Sequence, residues 1–403
     1  MTPQSKWFNN ARFGMFIHYG LSSLIGRHEW LIKIERMPFD EYRYFADKFK
    51  PKKFHVKQWV QLAKEAGMKY LVFTTRHHDG YSMFDSKVSD FTSTKTAAKR
   101  DFVAEYVKAC RKAGMKIGFY YSLTDWRWKE CLKGTPFTVQ HKKVNDEIVN
   151  YVHEQVRELC TNYGKIDILW YDGPWPYDAI GWQAGKLNAM VRKLQPGIVI
   201  NDRSGTAEDY DTPEQHICPA KPSRMWEANM TMNGSWFWNP HDRFWKPASE
   251  LIGYLILCAN GGGNFMLDIG PKADSSFPEP AVKRLKEIGQ WLKINGESIY
   301  GSERSPFMWQ SCGLTTVKGH RIYFHPGIVT ASKFNVDARA WREVSIGGIK
   351  NRLRTVTDIA TGKKINFIQQ EERIILKNIP TERIGTCNNA IRLEVAGKPR
   401  YVN

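Results

Sequence analysis

The chain lacks the features that mark several large protein classes. Its seven cysteines form no C-x-x-C pair. That sets aside a disulfide framework and a cysteine zinc site, and predicts mostly buried free thiols, as at Cys110 in Val107-Lys108-Ala109-Cys110. No run approaches the roughly 18 consecutive apolar residues that a membrane span needs, so no membrane insertion is expected. Met1-Thr2-Pro3-Gln4-Ser5-Lys6-Trp7 contains no apolar h-region, so no signal peptide is expected there. Secreted, periplasmic and cytoplasmic locations all stay open, as does the oligomeric state. There is no block of five or more Lys/Arg, as a nucleic-acid arm would show. No G-x-G-x-x-G opens a helix after the first predicted strand, which argues against a dinucleotide fold.

Two quantities are in excess. Lys and Arg number 59 against 41 Asp and Glu, a net charge of +18, and there are 15 Trp. Residues 301–403 hold 17 of the basic and 8 of the acidic groups, so half of the excess lies on the last quarter of the chain. A dispersed positive charge without basic runs suits an acidic or sulfated ligand better than nucleic acid. With 42% hydrophobic and 25% charged residues the composition is that of a globular protein, and wholesale disorder is not expected. Its 403 residues accommodate a barrel of about 250 residues and a smaller appendage.

One pattern repeats through the first half. Val56, Trp59, Val60 and Ala63 fall on one helical face, Gly67 stops the helix, and Tyr70-Leu71-Val72-Phe73-Thr74-Thr75 follows as a buried strand. The unit recurs with Val103, Tyr106, Val107 and Cys110, the stop Gly114, and the strand 116–122. Helix 144–162 with strand 166–170, and helix 182–194 with strand 198–200, continue it. Strands at 13–18, 225–227 and 264–269 and a helix over 280–295 complete the series. Strict alternation of short buried strands with helices predicts a parallel sheet closed as a (β/α)8 TIM-like barrel. From 304 the pattern becomes short alternating runs (321–324, 341–346, 373–376, 390–395), predicting a small C-terminal antiparallel β-sandwich over 304–403 behind a barrel over 1–303.

Barrel function collects at the C-terminal strand ends. Those ends carry His18; Arg76-His77-His78-Asp79-Gly80; Tyr121 to Trp126; Trp170-Tyr171-Asp172-Gly173; Asn201-Asp202-Arg203; and Trp226-Glu227. Three histidines suggest a metal, but His77 and His78 are adjacent and would point opposite ways on a continuing strand. Hydrogen bonding to a polyol is the favoured reading, with no metal or cofactor. Nine of the Trp lie between 126 and 245, several in Gly/Asn/Pro loops such as 233–240, where flat rings can accept the C–H faces of sugars. Glycoside cleavage requires two carboxyl groups. Asp172 ends a buried strand before Gly173-Pro174 and is the first. The second is either Glu214, on the loop after the fifth predicted strand, or Glu227, whose apolar surroundings would raise its pKa. Glu29, beside Trp30, is a third carboxylate expected at the pocket.

These residues resemble the glycoside hydrolase family 29 α-L-fucosidases. The likeness rests on Trp7-Phe8, Phe13-Gly14-Met15-Phe16-Ile17-His18-Tyr19-Gly20, Thr74-Thr75-Arg76-His77-His78-Asp79-Gly80 and Tyr120-Tyr121-Ser122. It continues through Leu169-Trp170-Tyr171-Asp172-Gly173, Asn201-Asp202-Arg203, Gly261-Gly262-Gly263-Asn264 to Gly270-Pro271, and Asn295 to Gly301. The resemblance implies a retaining mechanism on a fucosylated glycan. Asp172 matches the nucleophile, and His18, His77, His78, Tyr121, Trp170 and Arg203 match sugar-holding positions. Trp226 and Trp236 are expected to add stacking surface. Family members place the acid/base at either the Glu214 or the Glu227 position, and Glu214 is weighted slightly ahead. Arg76 stands where Lys is frequent, and Trp236-Phe237-Trp238 is bulkier than usual; both are expected to bear on substrate choice. The competing readings are an α-L-galactosidase, a non-catalytic glycan-binding protein and a metal-dependent hydrolase.

Overall fold

The computed structural model describes residues 5–133, 144–307, 310–328, 343–379, 383–384 (backbone only) and 387–401. Met1–Gln4 and Trp341–Arg342, which enter the readings of the first residues and of one strand above, lie outside the described residues.

Eight strands run parallel: β1 (Phe13–Ile17), β2 (Tyr70–Arg76), β3 (Lys116–Ser122), β4 (Ile168–Asp172), β5 (Val199–Ile200), β6 (Tyr210–Asp211), β7 (Met225–Thr231) and β8 (Asn264–Ile269). Their ladder order is β5-β4-β3-β2-β1-β8-β7-β6. A lone parallel bridge between Asn201 and Tyr210 spans the remaining seam, so the barrel is nearly closed. Helices 56–65, 102–113, 146–162, 184–194, 248–260 and 279–295 form the outer ring. Helix 102–113 shows why they form. Asp101 accepts the Ala104 N–H as N-cap, Phe102, Val103, Tyr106, Val107 and Cys110 are buried, and Gly114 ends the helix at φ 68°.

The pattern of repeats missed β6. Two residues carry no periodic signal, and no α-helix separates β5 from β6 or β6 from β7. That departure matters for function. Where the outer helices are omitted, short connecting segments on either side of β6 carry Arg203 and Glu214, both of which line the cavity.

Strand alternation divides the apolar residues into two layers. Phe16, Tyr70, Val72, Tyr120, Ile168, Trp170 and Met266 fill the barrel. Met15, Ile17, Leu71, Phe73, Phe119, Tyr121, Leu169 and Tyr171 pack outward against the helices.

The C-terminal strands are β9 (Gly313–Lys318), β10 (Arg321–Pro326), β11 (Glu343–Gly347), β12 (Leu353–Asp358), β13 (Phe367–Gln369), β14 (Arg373–Lys377), β15 (Arg383–Ile384), β16 (Cys387–Asn388) and β17 (Ile391–Val395). They make antiparallel sheets ordered β12-β17-β10-β9, β11-β14-β13 and β15-β16. Ile322, Phe324, Val344, Ile346, Ile374, Leu376 and Leu393 share one separate core. The sheets are tied to the barrel by polar contacts such as Trp291 Nε1 to the Asn388 carbonyl at 3.0 Å and Arg392 to Glu297 at 3.0 Å. No disulfide joins cysteines among the described residues, and five of the seven are buried. No helix among the described residues is long and apolar enough to cross a membrane.

Candidate active site

At the C-terminal mouth of the barrel lies a cavity of about 200 Å³. Phe16, His18, Glu29, Trp30, His77, His78, Tyr120, Trp170, Asp172, Trp175, Arg203, Glu214, Asn229 and Trp236 line it. Asp172 is the last residue of β4, two positions beyond Trp170 and therefore on the same inner face. Its Oδ2 accepts the Tyr120 hydroxyl at 2.8 Å, and its Oδ1 accepts Arg203 Nη1 at 3.0 Å. The same nitrogen lies 2.7 Å from Glu214 Oε2.

Arg203 is itself held from every side. Nε and Nη2 donate to the hydroxyl and carbonyl of Thr212 at 2.9 and 3.0 Å, and the guanidinium stacks on Trp170 at 4.7 Å. Burial opposes its charge, but Glu214 and Asp172 outweigh that penalty and raise its pKa. Burial is also the main cause that lifts the Tyr120 phenol well above its ordinary value, with Asp172 adding to it. Tyr120 therefore stays protonated and donates.

The three histidines share one wall. His18 Nδ1 meets Asp268 Oδ1 at 2.6 Å, and burial raises that carboxyl to about 6. His78 Nδ1 lies 2.7 Å from Ser122 Oγ, whose own proton goes to the Thr124 carbonyl. With the Ser122 proton committed, Nδ1 must be the donor, and His78 Nε2 faces Asp172 Oδ2 at 3.6 Å. Burial, then neighbouring cations and imidazoles, hold both His77 and His78 well below the ordinary histidine value. Neutral imidazoles on a cavity wall suit hydroxyl groups, to which they can donate or accept. His77 lines the cavity, and its Nδ1 is buried without a hydrogen-bond partner. β2 ends at Arg76, so strand alternation no longer applies to His77 and His78. Both line the cavity, since they are not held to opposite faces as a continuing strand would hold them. Among the described residues no three His, Cys, Asp or Glu are grouped to hold a metal ion.

Other expected positions fall elsewhere. Tyr121 points outward, donating to Gln155 Oε1 at 3.0 Å beneath the Arg76 guanidinium. β3 pairs Tyr120 with Trp170 and Ser122 with Asp172, so Tyr120 is the tyrosine in phase with the site. Trp170 and Asp172, two apart, mark the inner face of β4, and the β3–β4 register decides which tyrosine shares it. Trp226 is buried against Gly263 and donates to the Gly261 carbonyl at 3.2 Å, away from the cavity. Arg76 is fully buried, bonding Asp125 at 3.2 Å and the Ser122 carbonyl. It braces the outer layer and does not face a substrate.

Glu227 lies inside the barrel but below the floor. It accepts the Tyr70 hydroxyl and, at 3.3 Å, Trp170 Nε1. Burial raises its pKa to about 7. Glu227 is 0% exposed, whereas the Glu214 side chain is 38% exposed and that of Asp172 17%. Phe16, Trp175 and Asn229 were not anticipated. Phe16 and Asn229 sit two residues from His18 and Glu227, which was the available signal; Trp175 lies in an irregular loop that periodicity does not reach.

Against known proteins, the α-L-fucosidase family model matches residues 1–297. The tissue α-L-fucosidase of Mus musculus is 30% identical over 334 residues, 75% of this chain and 72% of that one. The structure resembles α-L-fucosidase isoenzyme 1 from Paenibacillus thiaminolyticus with a TM-score of 0.87, 31% identity, and coverage of 98% and 99%. An α-L-fucosidase GH29 from Bacteroides thetaiotaomicron, solved as a trapped covalent intermediate, aligns with a TM-score of 0.86, 25% identity, and coverage of 98% and 97%. The chain belongs to the α-L-fucosidase family, glycoside hydrolase family 29, and is a glycoside hydrolase with α-L-fucosidase activity.

Proposed function

We propose that the chain is a retaining exo-α-L-fucosidase in which Asp172 is the nucleophile and Glu214 the acid/base. The observation that carries this reading is the single nitrogen, Arg203 Nη1, shared by both carboxylates. Two oxygens bonded to one atom at those distances are at most about 6 Å apart, near the spacing of retaining pairs and short of the separation that leaves room for an inverting water. Glu227, sealed under Trp170, has no path to a glycosidic oxygen. The cavity is closed below by Trp170 and Phe16, which favours one terminal sugar.

Asp172 attacks the anomeric carbon as the carbon–oxygen bond to the leaving group breaks. The leaving oxygen takes that electron pair and the Glu214 proton. Before it can donate, Glu214 must leave its ion pair with Arg203 and take up a proton from solvent, which its partly exposed position allows. In the second half Glu214 accepts a proton from water, whose oxygen bonds to the anomeric carbon and releases Asp172. The Bacteroides relative was trapped with 2-fluoro-fucosyl fluoride, and the same reagent provides the test. It should label the peptide containing Asp172, and azide should restore turnover to Glu214→Ala but not to Glu227→Ala. The azide product should have retained configuration for Glu214→Ala and inverted configuration for Asp172→Ala, since one displacement is lost only in the latter. Wild-type-like turnover by Asp172→Ala, or rescue of Glu227→Ala alone, would overturn the assignments.

A further inference from the structure

On the outside of the barrel, helices 56–65 and 102–113 flank an open groove of about 1050 Å³. Six exposed lysines line it: Lys52, Lys53, Lys57, Lys64, Lys108 and Lys112. Its acidic group, Glu105, is occupied by Arg100 at 2.9 Å. None of the six lysines forms an ion pair with a carboxylate among the described residues; Lys64 donates to the Ala113 carbonyl at 3.1 Å. The groove is therefore a lane of uncompensated positive charge in a concave surface, where field lines concentrate.

We infer that this groove binds an anionic polysaccharide, a sulfated one foremost, as a subsite for the chain whose terminal residue enters the cavity; the last clause rests on the reading under Proposed function. Three observations select the occupant. Lys57 and Lys64 are about 10 Å apart along the helix axis at 1.5 Å per residue, so the charges track a linear polymer and do not converge on one small anion. Single-stranded nucleic acid needs exposed rings for stacking. Of the groove's two rings, Phe54 is packed on Trp59 and Phe102, each at 4.9 Å, and His55 is half-buried with its backbone N–H tied to Ser275 Oγ at 2.9 Å. Duplexes are read by projecting elements that enter their grooves, and this surface is concave.

The lane also leads toward the site. In a β/α barrel the helix N-termini lie on the face where the strands end, so Lys52, Lys53 and Lys57 occupy the cavity side. Lys52 and Lys53 also line an adjoining depression with Lys48, Lys50, Leu24 and Ala273. Asp274, at its edge, bonds Ser276 at 2.7 Å. Leu24 and Ala273 belong to the segments after β1 and β8, the strands that supply His18 and its partner Asp268.

The test measures binding of the full chain to dextran sulfate, alginate, neutral dextran and a short DNA duplex, beside turnover of an aryl α-L-fucoside. Dextran sulfate should bind, and its affinity should fall steeply as salt is raised, because the contacts are screened within about 10 Å at 0.1 M ionic strength. Lys53→Glu/Lys57→Glu/Lys108→Glu/Lys112→Glu should lose at least tenfold in affinity while aryl-fucoside kcat/KM stays within twofold. The milder Lys57→Gln/Lys108→Gln/Lys112→Gln should lose a smaller part in the same direction, and serves if the charge reversal fails to fold. Binding of alginate as well extends the site to uronates; dextran sulfate alone assigns sulfate esters. Unchanged affinity in both variants, equal affinity for neutral dextran, or DNA binding as tight as dextran sulfate overturns the proposal. Absence of aryl-fucoside turnover in the wild type would instead sink the fucosidase reading and leave the groove result intact.

Discussion

Replacing Arg203 with lysine keeps one positive charge beside Asp172 and Glu214 but removes the planar fork. In the wild type Nε and Nη2 are committed to Thr212, which in turn donates to Asp202 at 2.7 Å, so Nη1 is aimed at Asp172 without freedom to rotate. An ammonium is a point charge with a flexible stem. It can reach Asp172 or the Thr212 carbonyl, and it gives up the broad face that now covers Trp170. A hydrogen bond to a charged group contributes about 1.5–3 kcal/mol. Losing one such bond where charge reorganises in the transition state predicts a fall in kcat/KM of roughly 10- to 150-fold. The effect should fall on kcat more than on KM if, as proposed, Asp172 is the attacking carboxylate that Arg203 orients and the histidine wall holds most of the sugar. The assay is steady-state hydrolysis of an aryl α-L-fucoside, with thermal unfolding alongside to show an intact fold. Arg203→Met, which retains packing on Trp170 without charge, should be slower still. A lysine variant within threefold of wild type would refute the argument that the fork positions the nucleophile.

Two other outcomes follow from buried groups. Glu227 has its pKa raised by burial from the ordinary 4.5 to about 7. The stabilisation linked to its proton is present below 4.5 and is lost as pH rises through 7. Glu227→Gln cannot titrate, so between pH 5 and pH 7 its melting temperature should decline less than that of wild type; parallel curves would show that the carboxyl is not protonated in the folded state. Gly263→Ala would place a methyl 2.1 Å from the Trp226 indole. Overpacking of this kind costs about 1–3 kcal/mol, so the melting temperature should drop while kcat of the folded fraction holds; an unchanged melting temperature would mean the tryptophan yields freely.

The legible part of this protein was the part written in local periodicity. Helical faces such as Val103, Tyr106, Val107 and Cys110, ended by a left-handed glycine, specify an element from a dozen neighbouring residues. β6 escaped because two residues between loops present no period, and closure there depends on β7 beside it. Tyr121 was chosen over Tyr120 because adjacent residues of one type differ only in the face they present. That phase is set by pairing with β4, a contact between residues some fifty positions apart.

The sequence alone determined the barrel, the antiparallel sheets that follow it, and the placing of Asp172 at a strand end, since each depends on apolar spacing and chain-local stops. Tertiary structure set the two glutamates at different depths. Pro213–Gln215 lies alongside β7, bridging Glu214 to Asn229, two residues nearer the mouth than Glu227. At about 3.3 Å per residue that places Glu214 some way above Glu227, in the cavity and on Arg203, with Glu227 under the tryptophan floor. Depth along a barrel axis comes from register between strands, and register is a property of the folded sheet.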